Sequence, residues 1–218
     1  MQQRTGRYIN DDAGSNTPGV FAEGQEEKMV PEGTVFSSRE IQNSREGKTE
    51  ILSDGIRFAA QEDIPELADM MALAWQQIEQ KEWYMPDDAQ GLEAAIKETG
   101  YILVCEEEQE IAGFLMMIRP GDDDVYTRYV EGADGSNSIH SDTCVVKKEF
   151  RGRGIQKRLF REAEKIERMA GTKYMLCTIH PDNKASLKSA LAAGYEIAHT
   201  SNTVYDNGFL RHVMVRRL

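Results

Sequence analysis

One segment limits the possible folds more than any other part of the chain. Between residues 138 and 181, a strand-like run is followed by a glycine-containing turn, a long amphipathic run and a second strand-like run. The three runs are SIHSDTCVVKK, RGRGIQKRLFREAEKIERMAG and KYMLCTIHP. This order predicts a βαβ unit, whose two strands lie parallel and are joined by a right-handed crossover.

The flanking patterns predict a mixed sheet of the α/β (α+β) class. The predicted elements are, in order, a strand at 55–60, helices at 61–80 and 89–100, strands at 101–108, 110–120 and 138–148, a helix at 151–171, a strand at 173–181, a helix at 183–194, and strands at 195–205 and 209–218. A very short turn at Gln109 predicts one hairpin, and an Asn207-Gly208 turn signal predicts a second, terminal hairpin across residues 206–208.

Residues 1–54 differ from the rest of the chain. They are rich in Gly, Ser, Asn, Glu and Gln and contain only isolated apolar pairs, so they cannot bury much surface of their own. We therefore predict a polar N-terminal arm at 1–54 and a folded domain at 55–218. The arm is expected to dock on the domain or on a second subunit, as in a homodimer. For the first ~20 residues a mobile tail is an equal alternative.

Charge and composition exclude several functional classes. The formal net charge is −11, whereas a general nucleic-acid binder needs a broad positive surface. No apolar run is long enough to span a bilayer, and the N-terminus lacks the apolar core of a signal peptide. Cys105, Cys144 and Cys177 are far apart and form no CxxC pair or Cys/His cluster. This usage is typical of reduced thiols in the cytoplasm, without a metal site.

Positive charge is nevertheless concentrated at the start of the long helix-like run. The four cations around Gly152 and Gly154 are Arg151, Arg153, Lys157 and Arg158. The first turn of a helix presents unpaired N–H groups and a partial positive charge, and glycine lets an anion approach the backbone. These features indicate a phosphate or pyrophosphate site. On composition alone, a solvated cationic helix start remains an equal alternative.

Other phosphate loops and RNA-binding segments do not match this stretch. The Walker pattern GxxxxGK[ST] is absent, and GRGIQKR supplies only two glycines where a dinucleotide fingerprint needs three. An RG-rich RNA-binding segment would be repeated and disordered, whereas this one is single and lies between regular elements. The acidity of the chain also disfavours RNA binding.

The stretch VVKKEFRGRGIQKRLF resembles the acetyl-CoA-binding motif of the GNAT superfamily of N-acetyltransferases, in which [Q/R]-x-x-G-x-[G/A] lies between a strand and a helix. Arg151 matches the first position and Gly154 the fourth. The sixth position is Gln156 rather than Gly or Ala. Because only the backbone N–H is required there, a side chain that points outward can be tolerated.

A second stretch, HPDNKASLKSALAAGYEI, resembles the later N-x-x-[A/S]…G-[F/Y] segment of the same family. Asn183, Ser186, Gly194 and Tyr195 are in register with it. The element order from 55 to 218 also fits the family's mixed, mostly antiparallel sheet with a central parallel pair. The resemblance covers about three quarters of the chain, and the two motifs have the right separation.

The resemblance implies where acetyl-CoA binds. In this family the strands corresponding to 138–147 and 173–181 splay apart, and the pantetheine arm lies in the gap. Cys144, Val145 and Val146 would line the arm, and a backbone N–H there would polarise the thioester carbonyl. Asn183 and Ser186 would contact the arm or the adenosine, although Asn183 is also a good N-cap for its own helix. The residues expected to hold the pyrophosphate are Arg151, Gly152, Arg153, Gly154, Ile155, Gln156 and Lys157.

The resemblance also implies direct attack of an amine on the thioester, assisted by a base. Some members carry a carboxylate eleven residues before the motif, where this chain has His140, which can also be a buried structural residue. Asp142 is two residues on and is expected on the same strand face. The family's proton-returning tyrosine is replaced by Ala190. The candidate substitutes are Tyr84, Tyr195 and Tyr205, with Tyr205 preferred because it lies beside the terminal turn.

The acceptor pocket in this family includes the loop between the first two helices, here EWYMPDD, and loops near the last strands. Acidic and aromatic groups there, with Asp122, Asp123 and Asp124, suit a cationic small-molecule or peptide amine. Acidic loops are also common as plain solvated surface. The leading hypothesis is an acetyl-CoA-dependent N-acetyltransferase. The alternative is a catalytically silent acyl-CoA-binding regulatory module, which the absence of tyrosine at Ala190 favours.

Overall fold

A computed structural model describes residues 51–53, 55–121 and 124–218 of the chain. Their strands form one sheet in the order β1-β2-β3-β4-β5-β6-β8-β7. The strands are β1 (Ile51–Ser53), β2 (Ile56–Phe58), β3 (Gly100–Glu107), β4 (Glu110–Ile118), β5 (Ser138–Val146), β6 (Tyr174–Ile179), β7 (Glu196–Ser201) and β8 (Arg211–Arg217). The α-helices are α1 (Ile64–Gln77), α2 (Ala89–Ala94), α3 (Ile155–Met169) and α4 (Lys184–Ala192).

The sheet is mixed and mostly antiparallel, as predicted. Only β5 and β6 pair in parallel among the described strands, and α3 connects them. The βαβ prediction is therefore confirmed. The predicted hairpin of β3 and β4 is also confirmed, and its two-residue turn places Glu108 and Gln109 at positive φ.

Helices cover both faces of the sheet. On one face α1 and α2 bury Leu67, Met71 and Leu92 against Phe114 and Met116 of β4. On the other face α3 packs its apolar stripe on the sheet. The buried residues of that stripe are Ile155, Leu159, Ala163 and Ile166. The central strands are covered on both sides, which explains why β3 and β4 are apolar almost throughout instead of alternating.

A third apolar cluster lies at the β6–β8 end of the sheet. Leu176, Val213 and Val215 from the strands pack with Val130 and Val204 from the long connections. The connection before β5 and the one between β7 and β8 therefore meet over the same part of the sheet. This meeting brings their side chains close to the cleft described below.

Several predicted boundaries were wrong. The helix predicted from residue 151 begins at Ile155, because Gly152 and Gly154 adopt left-handed backbone conformations that no helix continues through. The terminal strands do pair antiparallel, but the strand predicted to 205 ends at Ser201, and β8 begins at Arg211 rather than 209. Val204 is buried in the third cluster, which draws the connection away from the ladder before the Asn207-Gly208 turn.

The predicted N-terminal arm, and the homodimer proposed through it, lie almost wholly outside the described residues. Ile51–Ser53, at its end, forms β1 and pairs with β2. Within the described part of the chain, no helix is both long and apolar enough to cross a membrane.

Candidate active site

The parallel strands β5 and β6 separate after a short paired stretch. Their register covers only Ser138, Ile139 and His140 of β5, and the strands then diverge. A cavity of about 600 Å³ fills the gap. Its wall includes eight residues that the sequence assigned to the site, namely Asp142, Cys144, Val145, Val146, Arg151, Gln156, Asn183 and Ser186.

The phosphate loop lies at one end of this cavity. Gly152 and Gly154 have φ of +83° and +78°, and a Cβ built on either glycine would meet no atom within 4 Å. No side chain caps the N-terminus of α3. The first backbone hydrogen bond of the helix runs from Arg158 N to Gly154 O. The N–H groups of residues 155–157 therefore precede the helical ladder, above open space that an anion can enter.

The cations of this loop already have partners. Arg153 Nη1 lies 2.7 Å from Glu108 Oε1, and Arg158 pairs with Glu107. The two carboxylates come from the last residue of β3 and from the turn after it, which are distant in sequence from the loop. Arg151 donates to the carbonyl of Val146 and, at 3.2 Å, to the side chain of Gln77 on α1. The positive charge read from the sequence is thus largely balanced by acidic and polar neighbours.

Gln156, the departure from the motif, does not point outward. Its Oε1 accepts a hydrogen bond of 2.8 Å from Ser189 Oγ on α4, and the side chain forms part of the cavity wall. The reason is that α3 and α4 lie side by side, so an amide at this position reaches the neighbouring helix. The bond links the two helices that border the cleft.

The structure is compatible with both predicted roles of Asn183, as the N-cap of α4 and as a contact for the cofactor. Its Oδ1 accepts from Ser186 N at 3.1 Å, so it caps α4. The residue also lines the cavity, where its amide NH₂ remains available as a donor. Two turns further along α4, Ala190 is buried and lines the same cavity, so a methyl group stands where the resemblance implies a tyrosine.

Asp142 and His140 lie close together, but regular strand alternation, from which their proximity was predicted, does not hold here. Met116 pairs with Thr143 and Met117 with Ser141, so Asp142 is the extra residue of a β-bulge, and simple alternation fails here. Asp142 borders the cavity with a 30% exposed side chain, whereas that of His140 is 4% exposed and lies behind it. The His140 Nδ1 to Asp142 Oδ1 distance is 3.6 Å, too long for a hydrogen bond.

His140 belongs to a buried polar network that sequence reasoning missed. Its ring stacks on Tyr126 at 3.9 Å between centroids. The Tyr126 hydroxyl is 3.2 Å from that of Tyr205, which is 2.8 Å from Thr178 Oγ1 on the cavity wall. Burial raises the pKa of the Tyr205 phenol above its ordinary value. No local pattern marks Tyr126 or Thr178, because three separate segments contribute to the network.

The three candidate tyrosines occupy different positions. Tyr84 lines the cavity, and burial raises the pKa of its phenol well above the ordinary value. Tyr195 is buried against α3, with its hydroxyl 3.0 Å from Ser141 Oγ. Tyr205 lies in the network behind Thr178. Of the three, Tyr84 is the one that borders the cavity among the described residues.

Acidic and aromatic groups mark the other end of the cavity. Glu79, Trp83 and Tyr84 from the loop after α1 line it beside Asp142. His180 stacks at an angle on Trp83 and accepts a hydrogen bond from Asp182 N, which shapes the turn after β6. Of the three consecutive aspartates predicted to border the acceptor, Asp122 and Asp123 lie outside the described residues. Asp124 accepts from Tyr126 N and Thr127 N within its own turn.

A protein-family model described as "Acetyltransferase (GNAT) family" matches residues 65–195. The chain belongs to the GNAT acetyltransferase family. Solved structures of this fold agree over about 75% of the chain. The ribosomal-protein-alanine N-acetyltransferase of Brucella melitensis has a TM-score of 0.60 at 22% identity, with 99% of its own chain covered. No curated protein matches the chain.

Two further solved structures show the same fold. An acetyltransferase of the GNAT family from Listeria monocytogenes has a TM-score of 0.58 at 19% identity, with 94% of its chain covered. The YncA acetyltransferase of Salmonella typhimurium, solved with its cofactor acetyl-CoA, has a TM-score of 0.54 at 17% identity, with 92% covered.

The residues of this GNAT domain fit acetyl-CoA. The glycine loop leaves room above unclaimed backbone N–H groups, which suits a pyrophosphate. The apolar wall of Cys144, Val145 and Val146 continues from that loop toward Asp142, which suits an extended thioester arm. Burial raises the pKa of Cys144 to about 12, so its thiol stays neutral and does not compete as a nucleophile.

Proposed function

We propose that the protein transfers the acetyl group of acetyl-CoA to a primary amine of a small molecule or peptide by direct attack. The observation that carries the proposal is the single cavity that connects Arg151 and Gln156 at the phosphate loop with the Asp142 carboxylate at the other end. A donor bound along this cavity would present its thioester to an amine held beside Asp142.

We assign to Asp142 the role of the base that accepts a proton from the amine. Its carboxylate borders the cavity and is partly exposed, so it can take the proton that an ammonium must lose before attack. Thr143 Oγ1 donates to Asp142 Oδ2 at 3.1 Å and orients it. His140 lies behind Asp142, with its Nδ1 3.6 Å from Asp142 Oδ1, where it would help to position the carboxylate.

The other groups at this end of the cavity favour a cationic acceptor. Glu79 supplies negative charge, and the faces of Trp83 and Tyr84 can attract an ammonium group by cation–π contact. The Brucella protein of the same fold acts on a ribosomal-protein alanine, according to its name, so both a peptide amine and a small amine are reasonable acceptors. The free cysteines Cys105, Cys144 and Cys177 fit the proposed cytoplasmic location.

A thiol-release assay tests the proposal. The purified protein is incubated with acetyl-CoA and a panel of small amines and peptides, and the appearance of free CoA thiol is compared with that for His140→Ala and Asp142→Asn. We expect release with at least one amine and a large loss in both variants. Tight acetyl-CoA binding without release on any amine would instead support the catalytically silent module, which Ala190 favours.

A further inference from the structure

The cleft lacks a proton donor at the position that the sequence motif points to. Ala190 lies on the cavity wall with its side chain buried, and a methyl group has no proton to give. The thiolate that leaves when an amine attacks a thioester is a strong base and needs a hydrogen-bond or proton donor. Some other group on the wall must therefore supply this role if the proposed reaction takes place.

Tyr84 has a hydroxyl that the protein itself does not use. The oxygen is buried and makes no hydrogen bond within the described residues. Burial raises the pKa of the Tyr84 phenol and the nearby Thr143 hydroxyl lowers it, but no hydrogen bond of normal distance and angle joins the two hydroxyls. A buried polar group without a partner is rare in native proteins and calls for an explanation. A ligand that enters the cavity would provide the missing partner.

The hydroxyls of the two other candidate tyrosines are already engaged. Tyr205 bonds Thr178 and Tyr126, and Tyr195 bonds Ser141. Either hydroxyl would have to give up a buried bond to reach the cavity. Tyr84 would give up none, and it lies beside the strand residue Cys144 that the resemblance places along the thioester arm.

The loop that carries Tyr84 is held in place from several sides. Arg211, which is buried at the start of β8, donates to the Glu82 carbonyl at 2.7 Å. Lys81 Nζ lies over the Trp75 ring, and Asn207 from the terminal connection contacts Met85. Such fixation on both sides of Tyr84 suits a group that must meet a reacting atom in one geometry.

We propose that Tyr84 donates the proton to the departing sulfur during acetyl transfer, in place of the tyrosine absent at Ala190. This inference rests on the proposed function. The amine nitrogen, after losing one proton that Asp142 passes on to solvent, forms a bond to the acetyl carbon and gives its second proton to Asp142. The carbon–sulfur bond breaks with its electron pair on sulfur. The Tyr84 proton passes to that sulfur, and the phenolate regains a proton from Asp142. The products are the acetylated amine and the free thiol.

The first test is Tyr84→Phe, which removes only the hydroxyl. We expect the turnover rate with acetyl-CoA to fall about 100-fold, the lower range for a general acid. Acetyl-CoA affinity, measured by calorimetry, should stay close to that of the wild type. Tyr174→Phe is the matched control, because Tyr174 lies at the far end of β6 and its loss should leave turnover unchanged. Thermal melts check that both variants are folded.

The second test separates proton donation from positioning. The seleno-analogue of acetyl-CoA carries a selenolate leaving group, which is a much weaker base and leaves without protonation. Tyr84→Phe should recover most of its lost rate with this donor, whereas a positioning defect would persist with both donors. Asp142→Asn should show no such recovery, because its proton transfer occurs at nitrogen.

The possible outcomes are distinct. Loss of rate with acetyl-CoA and recovery with the selenoester support the inference. An unchanged rate in Tyr84→Phe, or an equal loss with both donors, overturns it while the proposed acetyl transfer stands. Absence of turnover by the wild-type protein on every amine tested overturns the proposed function and the inference together.

Discussion

At the phosphate end of the cleft, Arg151, Gly152 and Gly154 are neighbours in the chain. At the acceptor end, Tyr84, Asp142 and Thr178 come from three separate segments. The phosphate end is a local turn that opens a helix, with exposed residues and backbone donors. The acceptor end is assembled by the packing of a loop and two strands, one of them bulged, and much of it is buried.

This contrast suggests that one end of the cleft mainly determines binding and the other mainly determines the reaction rate. Backbone N–H groups and glycines at the phosphate end recognise an anion with little dependence on particular side chains. At the acceptor end the chemistry depends on single functional groups whose geometry is set by distant contacts. Substitutions at the first end should therefore change affinity, whereas those at the second should change the rate of transfer.

The largest expected effect concerns Cys144, on the wall between the two ends. Burial raises the pKa of its thiol from 9.0 to about 12, so the thiolate forms only above that pH. At pH 8 the folded protein should contain at least about 100-fold less Cys144 thiolate than the unfolded chain, and alkylation should be slower in the folded protein. Mass spectrometry after timed labelling, with and without urea, measures this ratio. Equal labelling rates in the folded and unfolded states would contradict the raised pKa of Cys144.

Asp142→Asn is the next largest change. The amide keeps the size of the side chain but cannot accept a proton, so turnover should fall about 100-fold. Acetyl-CoA affinity should hardly change, since the phosphate end is untouched. Thiol release gives the rate, and calorimetry gives the affinity. If the turnover rate and the acetyl-CoA affinity fell by the same factor, the two ends of the cleft would not have separate roles in catalysis and in binding.

Gly154→Ala tests the phosphate end. The residue has φ of +78° with open space around it, so alanine adds backbone strain without a clash. We expect a loss of about 1 kcal/mol in the free energy of unfolding and of about tenfold in acetyl-CoA affinity.

Gly171→Ala is a matched control for this change. Gly171 also has a left-handed φ, of +76°, and open space, but it follows the other end of α3. It should lose similar stability in denaturant melts and no acetyl-CoA affinity. Equal affinity losses in the two variants would show that strain, rather than contact with the ligand, is responsible.

Glu108→Gln should have a smaller effect in the opposite direction. It releases Arg153 from an exposed ion pair of 2.7 Å and leaves more positive charge beside the loop. We expect acetyl-CoA to bind about two- to fivefold more tightly at low salt, with the gain lost at high salt. Glu131→Gln, at an exposed turn elsewhere, is the control. An unchanged affinity at low salt would mean that Arg153 takes no part in binding the donor.

Gln156→Ala should have the smallest effect. The change removes the bond to Ser189 but keeps the backbone N–H, so acetyl-CoA affinity should stay within about twofold of the wild type. Titration calorimetry is sufficient to measure it. A large loss would assign the amide side chain itself to the ligand and would make this motif position a side-chain contact.

Much of the fold was predictable because its signals are local. Hydrophobic periodicity placed the helices and strands, and the strand–helix–strand order fixed the parallel pair. The errors arose where a distant contact overrides a local pattern. Val204 draws the terminal connection out of the ladder, and the bulge at Asp142 breaks strand alternation.

The sequence by itself determined the glycine loop that we propose as the anion site, because Gly152, Gly154 and the helix start after them form a unit of contiguous backbone. It also determined that Ala190 cannot supply a proton. Only the tertiary structure decided that Asp142 rather than His140 borders the cavity, and that Tyr84 rather than Tyr205 has an unused hydroxyl there. The physical reason is that burial and hydrogen-bond partners depend on the packing of segments far apart in the chain, and no local pattern records this packing.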